Sequence, residues 1–250
     1  MSACKQDTKV IITRSDIQLA SDTLTPEALW AMGRIGGSSV SPDAKQVAYN
    51  VSYYSVEQNK SHTVVYTIGI DGTDERRLTT GNGNELSPQY LNDGRIAYLA
   101  SDDGGTMQLW VMNADGTDRQ CMSKFSKDAE DYLFSPDGKK VLVIHSNPYH
   151  GSIAEKPKDL PKTSGYVVNE LMYRHWDEWV ESVPQPYIYA VDGGKVSGEG
   201  KSVLGEEPFE CPMKPFGGME QLCWSPDSRY VAYTCRKKTG RDYAVSTDSA

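Results

Sequence analysis

No apolar run in the 250-residue chain approaches the roughly 18 residues that a membrane-spanning helix needs, so no segment reads as a membrane span. Positive charge is also scarce: 26 Lys and Arg stand against 34 Asp and Glu, a formal net charge of -8. Nucleic-acid and anionic-membrane surfaces need clustered Lys and Arg, so this balance argues against both as partners. The five cysteines, Cys4, Cys121, Cys211, Cys223 and Cys235, show no C-x-x-C spacing, which leaves no zinc-type ligand set. Their odd number leaves at least one thiol unpaired. Cys223 and Cys235 flank an expected strand pair, so a disulfide between them or with Cys211 stands beside buried free thiols as the alternatives. The nucleophile elbow G-x-S-x-G is missing, and Gly81-Asn82-Gly83-Asn84 lacks the strand-to-helix context of a phosphate loop. His62, His145 and His150 have no Cys or carboxylate partners at ligand spacing. Asn113 to Asp118 loosely matches a calcium loop, but it lacks the later bidentate Glu and repeats a turn found elsewhere in the chain. No metal, cofactor or complete catalytic site is expected among these residues.

What the chain does contain is a repeat. Ser135-Pro136-Asp137-Gly138 follows Phe134 and leads into Val141, Leu142, Val143 and Ile144, which reads as strand, tight turn, strand. Ser41-Pro42-Asp43 before Val47 and Ser225-Pro226-Asp227 before Val231 are further copies, and Leu91-Asn92-Asp93-Gly94 is a degenerate one. Aligned on the turn, Ser41, Leu91, Ser135 and Ser225 follow one another at intervals of 50, 44 and 90 residues. The turns Asp71-Gly72-Thr73 and Asp115-Gly116-Thr117 occupy the same place in the first two units. Strands are expected at Val47–Tyr54, Thr63–Ile70 and Arg76–Thr79, then at Pro88–Tyr90, Arg95–Ala100, Gln108–Asn113 and Arg119–Ser123. Four short antiparallel strands every ~40–50 residues are the signature of a β-propeller blade. The fold class is therefore all-β, a partial propeller of the TolB or WD40-like kind.

Residues 1–34 form a lead-in and a short helix, in which Thr25 caps, Pro26 starts and Glu27 lies in the first turn, with Gly33, Gly36 and Gly37 ending it. Residues 35–250 hold about three and a half blades. The doubled 90-residue interval comes from an insertion over 146–184 in the third blade, whose first two strands are Tyr132–Phe134 and Val141–His145 and whose third is Pro186–Val191. Within the insertion the period changes from 2 to 3.6: Val168, Leu171, Met172, His175 and Trp179 fall on one helical face, with Glu170, Arg174 and Glu178 in another sector. Glu170 or Glu178 is suited to a ligand ammonium and Arg174 to a carboxylate or carbonyl, beside Tyr173, His175, Trp176, Asp177 and Trp179. The chain stops inside the fourth blade, so it is expected to be a fragment whose open blade edge invites self-association.

The run Leu24-Thr25-Pro26-Glu27 with Leu29-Trp30, the Ser-Pro-Asp turns, and Tyr173-Arg174-His175-Trp176-Asp177-Glu178-Trp179 together resemble the prolyl oligopeptidase family. Within it, the similarity is to the dipeptidyl peptidase 5 and acylaminoacyl-peptidase-like branch. The resemblance implies a propeller joined to a C-terminal α/β-hydrolase domain with a Ser-Asp-His triad, acting on peptide N-termini. It implies peptide substrates that the propeller gates and the helical insertion helps to bind. This chain lacks the hydrolase half, so no catalytic residue carries over. The adjacent Glu206-Glu207 lies outside the insertion and does not match the amine-holding Glu pair of related peptidases. A non-enzymatic propeller serving as a protein-binding scaffold is the alternative. Ser2-Ala3-Cys4 looks like the end of a bacterial lipoprotein signal, which implies a lipid anchor at Cys4 and a periplasmic or envelope location.

Overall fold

The computed structural model describes residues 12–19, 21–81, 83–101, 105–149, 154–155, 158–160, 162–165, 167–168, 180, 182–214, 217–239 and 242–243. They fall into two compact units, Met1–Ser123 and Lys124–Ala250.

The first unit begins with an extended lead-in whose Ile12 packs against Val51, Tyr53 and Val64 and bonds through its carbonyl to His62 Nδ1 at 2.9 Å. Helix α1, Pro26–Ala31, follows, with Thr25 Oγ1 accepting the Ala28 N–H at 3.2 Å and Pro26 at the first position. The helix stops at Ala31 without using the glycines. Gly36 and Gly37 instead lie inside a strand, β1 (Arg34–Val40), at a bulge where its register against the next strand shifts. A side chain on Gly36 would meet Asn50 Nδ2 at 2.4 Å, so glycine there lets the Asn50 side chain lie against the bulge undisplaced. β1 joins β2 (Gln46–Ser55), β3 (Lys60–Gly69) and β4 (Arg76–Arg77) in one antiparallel sheet. The second sheet is β5 (Glu85–Tyr90), β6 (Ile96–Ala100), β7 (Gln108–Met112) and β8 (Gln120–Cys121), in the same order and sense. β5 carries its own register shift between Leu86 and Gln89, 51 residues after the shift between Ile35 and Ser38 in β1.

The last strand of each of these two sheets is shorter than the sequence suggests, two residues in place of four (Arg76–Thr79) and of five (Arg119–Ser123). Side chains continue the ladder beyond it. Thr79 Oγ1 accepts the Val65 N–H at 2.8 Å, and Ser123 Oγ accepts the Leu109 N–H at 2.9 Å. The two Asp-Gly-Thr turns are also matched: Asp71 and Asp115 each accept the N–H and the hydroxyl of the Thr two residues on. The Asp115 carboxylate therefore closes a turn, as its counterpart does, and its pKa is held low by the Thr117 hydroxyl first and the Thr117 N–H second.

In the second unit, β9 (Asp131–Phe134) pairs with β10 (Lys140–Pro148), which pairs with β13 (Ser182–Asp192), and β13 pairs with β14 (Lys195–Ser202). The two short strands β11 (Ala154–Glu155) and β12 (Val167–Val168) pair only with each other. Val168, which the 3.6 period places on a helical face, is thus in a strand opposite Ala154; two residues of local pairing outweigh the periodicity there. A 3-10 turn at Met219–Gln221 leads into β15 (Leu222–Trp224), which pairs with β16 (Val231–Tyr233). Every sheet is open and antiparallel, as the all-β propeller class requires.

Central strands are buried on both faces. Ile96–Ala100 is buried throughout, as is Val141–His145, which is why both read as continuous apolar runs rather than alternating ones. The core of the first unit joins Ala48 and Val65 of one sheet to Tyr90, Ile96, Tyr98 and Met112 of the next. That of the second unit joins Leu142 and Ile144 to Leu222, Trp224, Cys211 and Cys235.

All four turns close the same way at their fourth residue, which has positive φ: Ala44 (56°), Gly94 (84°), Gly138 (68°) and Ser228 (59°). In the three Ser-Pro-Asp copies the Ser hydroxyl donates to the Asp carboxylate, at 2.7 Å for Ser41, 2.6 Å for Ser135 and 2.6 Å for Ser225, and accepts the N–H five residues on. The Leu91 turn is one residue tighter, with the Leu91 N–H bonded to Arg95 O where Ser41 reaches Gln46 O. Ala44 and Ser228 hold a left-handed conformation that penalises a side chain by about 1–2 kcal/mol. Glycine recovers this less the roughly 0.4–1 kcal/mol it loses through a freer unfolded chain. Ala44→Gly is accordingly expected to be neutral or stabilising by up to about 1 kcal/mol in urea unfolding. Ser228→Gly also loses the Ser228 Oγ that accepts the Asp137 N–H at 3.0 Å, so it should fall below Ala44→Gly by about 1 kcal/mol. Equal effects of the two substitutions would refute this account of the turns.

Candidate functional site

The residues singled out by the sequence for ligand contact, Glu170, Tyr173, Arg174, His175, Trp176, Asp177, Glu178 and Trp179, all lie outside the described residues, as do Cys4 and His150. What the structure does describe is the root from which their segment leaves and to which it returns. β10 and β13 pair without interruption from Lys140↔Ala190 to Pro148↔Ser182, so the hairpin extends past the strand ends expected from sequence, and the insertion is narrowed to the stretch between Pro148 and Ser182. Tyr149 on the outgoing side and Val180 and Val183 on the returning side pack together with Tyr243. Both ends of the segment are thereby pinned to one spot.

Beneath that spot is a buried charge cluster. Glu210 is 1% exposed and Arg236 is 4% exposed, with Arg236 Nη1 3.5 Å from Glu210 Oε2. Tyr243 donates its hydroxyl to Glu210 Oε1 at 2.8 Å, and the Arg236 guanidinium lies 5.0 Å from the Tyr243 ring centre. Arg236 Nη2 also donates to Lys214 O at 2.9 Å. Burial, and then the Glu210 charge, push the Tyr243 phenol above its ordinary range, so it stays a donor at any working pH. The first unit repeats the arrangement: buried Glu85 has Arg119 Nη2 at 3.7 Å, and that guanidinium lies 5.8 Å from the Tyr98 ring centre. Burial raises the pKa of Glu85 against the opposing pull of Arg119.

On the other side of the hairpin, His145 of β10 is buried between the Asp128 carbonyl, 2.8 Å from Nδ1, and the Tyr189 hydroxyl, 2.9 Å from Nε2. A carbonyl only accepts, so Nδ1 carries the proton and Nε2 accepts from Tyr189. Asn147 donates to Gln185 Oε1 and to the Tyr187 hydroxyl, each at 2.7 Å, and Gln185 donates to the carbonyls of Glu207 and Phe209. These polar groups hold the hairpin rigid; none is arranged as nucleophile and base. Among the described residues, no group of three or more His, Cys, Asp and Glu is placed to hold a metal ion.

A feature that sequence reasoning missed lies in the first unit, a groove of about 470 Å³ lined by Tyr49, Tyr53, Tyr66, Glu75, Arg14 and Met32 among others. Tyr49 and Tyr66 stack at 5.7 Å, Tyr49 donates to Glu75, and the Tyr53 and Tyr66 hydroxyls are 3.0 Å apart. Burial, with the Tyr66 hydroxyl second, pushes the Tyr53 phenol up to about 12. The tyrosines alternate along β2 and across to β3, a pattern visible in the sequence only once the pairing register is known.

The root makes two predictions. Glu210→Ala strands the buried Arg236 charge and is expected to destabilise by about 3–5 kcal/mol in chemical denaturation, whereas Tyr243→Phe, losing one hydrogen bond to a carboxylate, should lose about 1.5–3 kcal/mol. A Glu210→Ala loss below that of Tyr243→Phe would contradict this ordering. Burial, aided by the Lys127 charge, outweighs the opposing Asp128 hydrogen bond and the Glu130 and Asp128 charges and leaves the His145 pKa below its usual 6.5. The unfolded chain therefore takes up a proton that the folded chain refuses. Stability is full above pH ~6.5 and falls as pH drops from there through the lowered value. The melting temperature of His145→Gln should depend less on pH across that window than the parent chain's does.

Comparison with known proteins bears on the whole chain. A family described as the TolB beta propeller domain matches residues 22–166. Dipeptidyl-peptidase 5 of Porphyromonas endodontalis is 40% identical over 230 residues, covering 92% of this chain and 33% of that protein. Dipeptidyl-peptidase 5 of Porphyromonas gingivalis is 41% identical over 226 residues, covering 90% of this chain and 33% of its own length. The chain thus spans about a third of the length of these relatives. Among solved structures, TolB from Acinetobacter baumannii aligns over 81% of this chain and 38% of its own, at 16% identity and a TM-score of 0.47.

Proposed function

The chain belongs to the TolB beta propeller domain family, and we propose that it is the propeller portion of a serine exopeptidase of the dipeptidyl or acylaminoacyl type. In this reading the propeller gates and helps to bind peptide substrates, and a C-terminal α/β-hydrolase domain outside these residues performs hydrolysis. One observation carries the proposal: the match at 40% identity runs through 92% of this chain, yet covers only 33% of a peptidase relative. A match through nearly the whole chain is more specific than the turn motifs alone, which many propellers share.

The insertion is the segment to which we assign substrate contact. Its root is rigid: a nine-rung hairpin on one side and the buried Glu210, Arg236 and Tyr243 cluster on the other. A rigid base is what a binding element needs if its side chains are to meet a ligand without a large ordering cost. Glu170 and Arg174 are the residues whose charge suits a peptide's termini, with Tyr173, His175, Trp176, Asp177, Glu178 and Trp179 around them. The Ser2-Ala3-Cys4 motif supports placing the whole protein at the bacterial envelope, anchored by a lipid on Cys4.

The 250-residue chain alone is expected to show no turnover of dipeptidyl or aminoacyl chromogenic substrates, and turnover sensitive to serine-directed inhibitors would overturn the proposal. In the full-length protein, Glu170→Ala or Arg174→Ala should raise KM several-fold with an unchanged melting temperature. Unchanged kinetics with a lowered melting temperature would instead make the insertion purely structural. The scaffold alternative is favoured by the TolB family match itself. It would be established by a reading frame that continues into further blades and a stop codon, with no G-x-S-x-G elbow.

A further inference from the structure

Near the insertion root, but separate from its charges, the chain brings two thiols together. Glu210 and Arg236 form an antiparallel bridge, with the Arg236 N–H donating to Glu210 O at 3.0 Å. Continuing that antiparallel register by one residue sets Cys211, a free thiol in this structure, opposite the free thiol of Cys235. Directly opposed residues on an antiparallel rung share a face and have Cα atoms about 4.5–5.5 Å apart. A disulfide needs a Cα separation of about 4.4–6.8 Å, so the rung spacing falls inside its range.

The side chains follow this alternation. Glu210 and Arg236 meet each other on one face, while Cys211 and Cys235 lie in the apolar cluster with Leu142, Leu222 and Trp224. Cys211 is held from the other side as well, its N–H donating to Pro184 O of β13 at 2.9 Å. Both cysteines are buried, at 0% and 6% exposure. The alternative partner raised by the sequence is excluded by register. Cys223 pairs across β15 and β16 with Ala232 and is exposed between buried Leu222 and Trp224, so it faces away from the cluster.

We propose that Cys211 and Cys235 are a disulfide-forming pair that staples the segment around Glu210 to the strand end after β16. The chemistry is thiol–disulfide exchange with an oxidant of the disulfide class, either a disulfide-bearing oxidoreductase or a small-molecule disulfide. The thiolate of one cysteine attacks the oxidant's S–S bond, which breaks and releases one thiolate. The second cysteine, losing its proton, then attacks the resulting mixed disulfide and releases the other. The protein loses two protons and two electrons, and the oxidant becomes two thiols. Burial pushes the Cys211 thiol up to about 12 and raises that of Cys235 too, so both are poor nucleophiles once packed. The bond therefore forms while the chain folds in an oxidising compartment.

The test is to express the full chain in an oxidising and in a reducing compartment, alkylate free thiols after denaturation, and map the modified peptides by mass spectrometry. From the oxidising compartment, Cys211 and Cys235 should both escape alkylation, be recovered as one cross-linked peptide lighter by two hydrogens, and become alkylated only after reduction. Cys121 and Cys223 should be alkylated in both preparations. The oxidised chain should melt several degrees above the reduced one, and a Cys211→Ser Cys235→Ser double variant should show no such difference. Free alkylation of both residues in the oxidised preparation, or a cross-link joining either of them to another cysteine, would overturn the proposal even if the double variant failed to fold.

Discussion

Within each unit, successive blades are joined by one aromatic residue at the end of a blade's first strand. Tyr90 stands one place before the Leu91 turn and Trp224 one place before the Ser225 turn. Each reaches back to the residue five places after the turn start in the preceding blade. The Tyr90 hydroxyl donates to Gln46 Oε1 at 3.1 Å, and the Trp224 ring lies 5.9 Å from Lys140 Nζ. Each seam is also tied by a hydrogen bond between backbone and side chain, from the Tyr90 N–H to Ser39 Oγ and from Trp224 Nε1 to Leu133 O. A single four-stranded sheet has two apolar faces and cannot bury both by itself. The aromatic seam is what lets one blade cover the face of the next, and the buried central strands β6 and β10 depend on it.

The same economy governs the polar groups. A Ser hydroxyl that both donates to Asp and accepts a backbone N–H closes each Ser-Pro-Asp turn without solvent, and Thr79 and Ser123 extend ladders that the two-residue strands β4 and β8 leave short. Buried carboxylates are matched by arginines that also lie near a tyrosine ring, Glu85 with Arg119 and Glu210 with Arg236. Such pairs contribute little net stability but penalise any arrangement that separates them, so they hold geometry. In the second unit that geometry is the base of the insertion. The segment between Tyr149 and Val180 is attached at both ends over a packed and charge-paired floor and so starts and ends at a defined place.

Much of this was legible in the residues. The turn spacing counted the blades, because a turn with Pro at its second position and Asp at its third has few conformations open to it. The Thr25 cap and Pro26 placed α1, and the doubled interval placed the insertion. The glycines at 36 and 37 were misleading: they read as a helix stop, yet both lie in the bulge of β1, where the Asn50 side chain packs against Gly36. Val168 was misleading in the same way, since a 3.6 period over a few residues cannot compete with a strand partner at Ala154. The tyrosine groove around Glu75 and the Glu210 cluster were illegible, because their members are far apart in the chain and only pairing register brings them together.

The class of fold and the interruption between β10 and β13 were readable along the chain, since these follow from local turn chemistry and from a repeating period. Only the tertiary structure decided which cysteine faces which, where the buried charges find their partners and what stands under the insertion. Those depend on register, and a shift of one residue turns a side chain to the opposite face of its strand. Cys211 and Cys235 share one apolar cluster while Cys223, between buried Leu222 and Trp224, faces outward, and register is the reason.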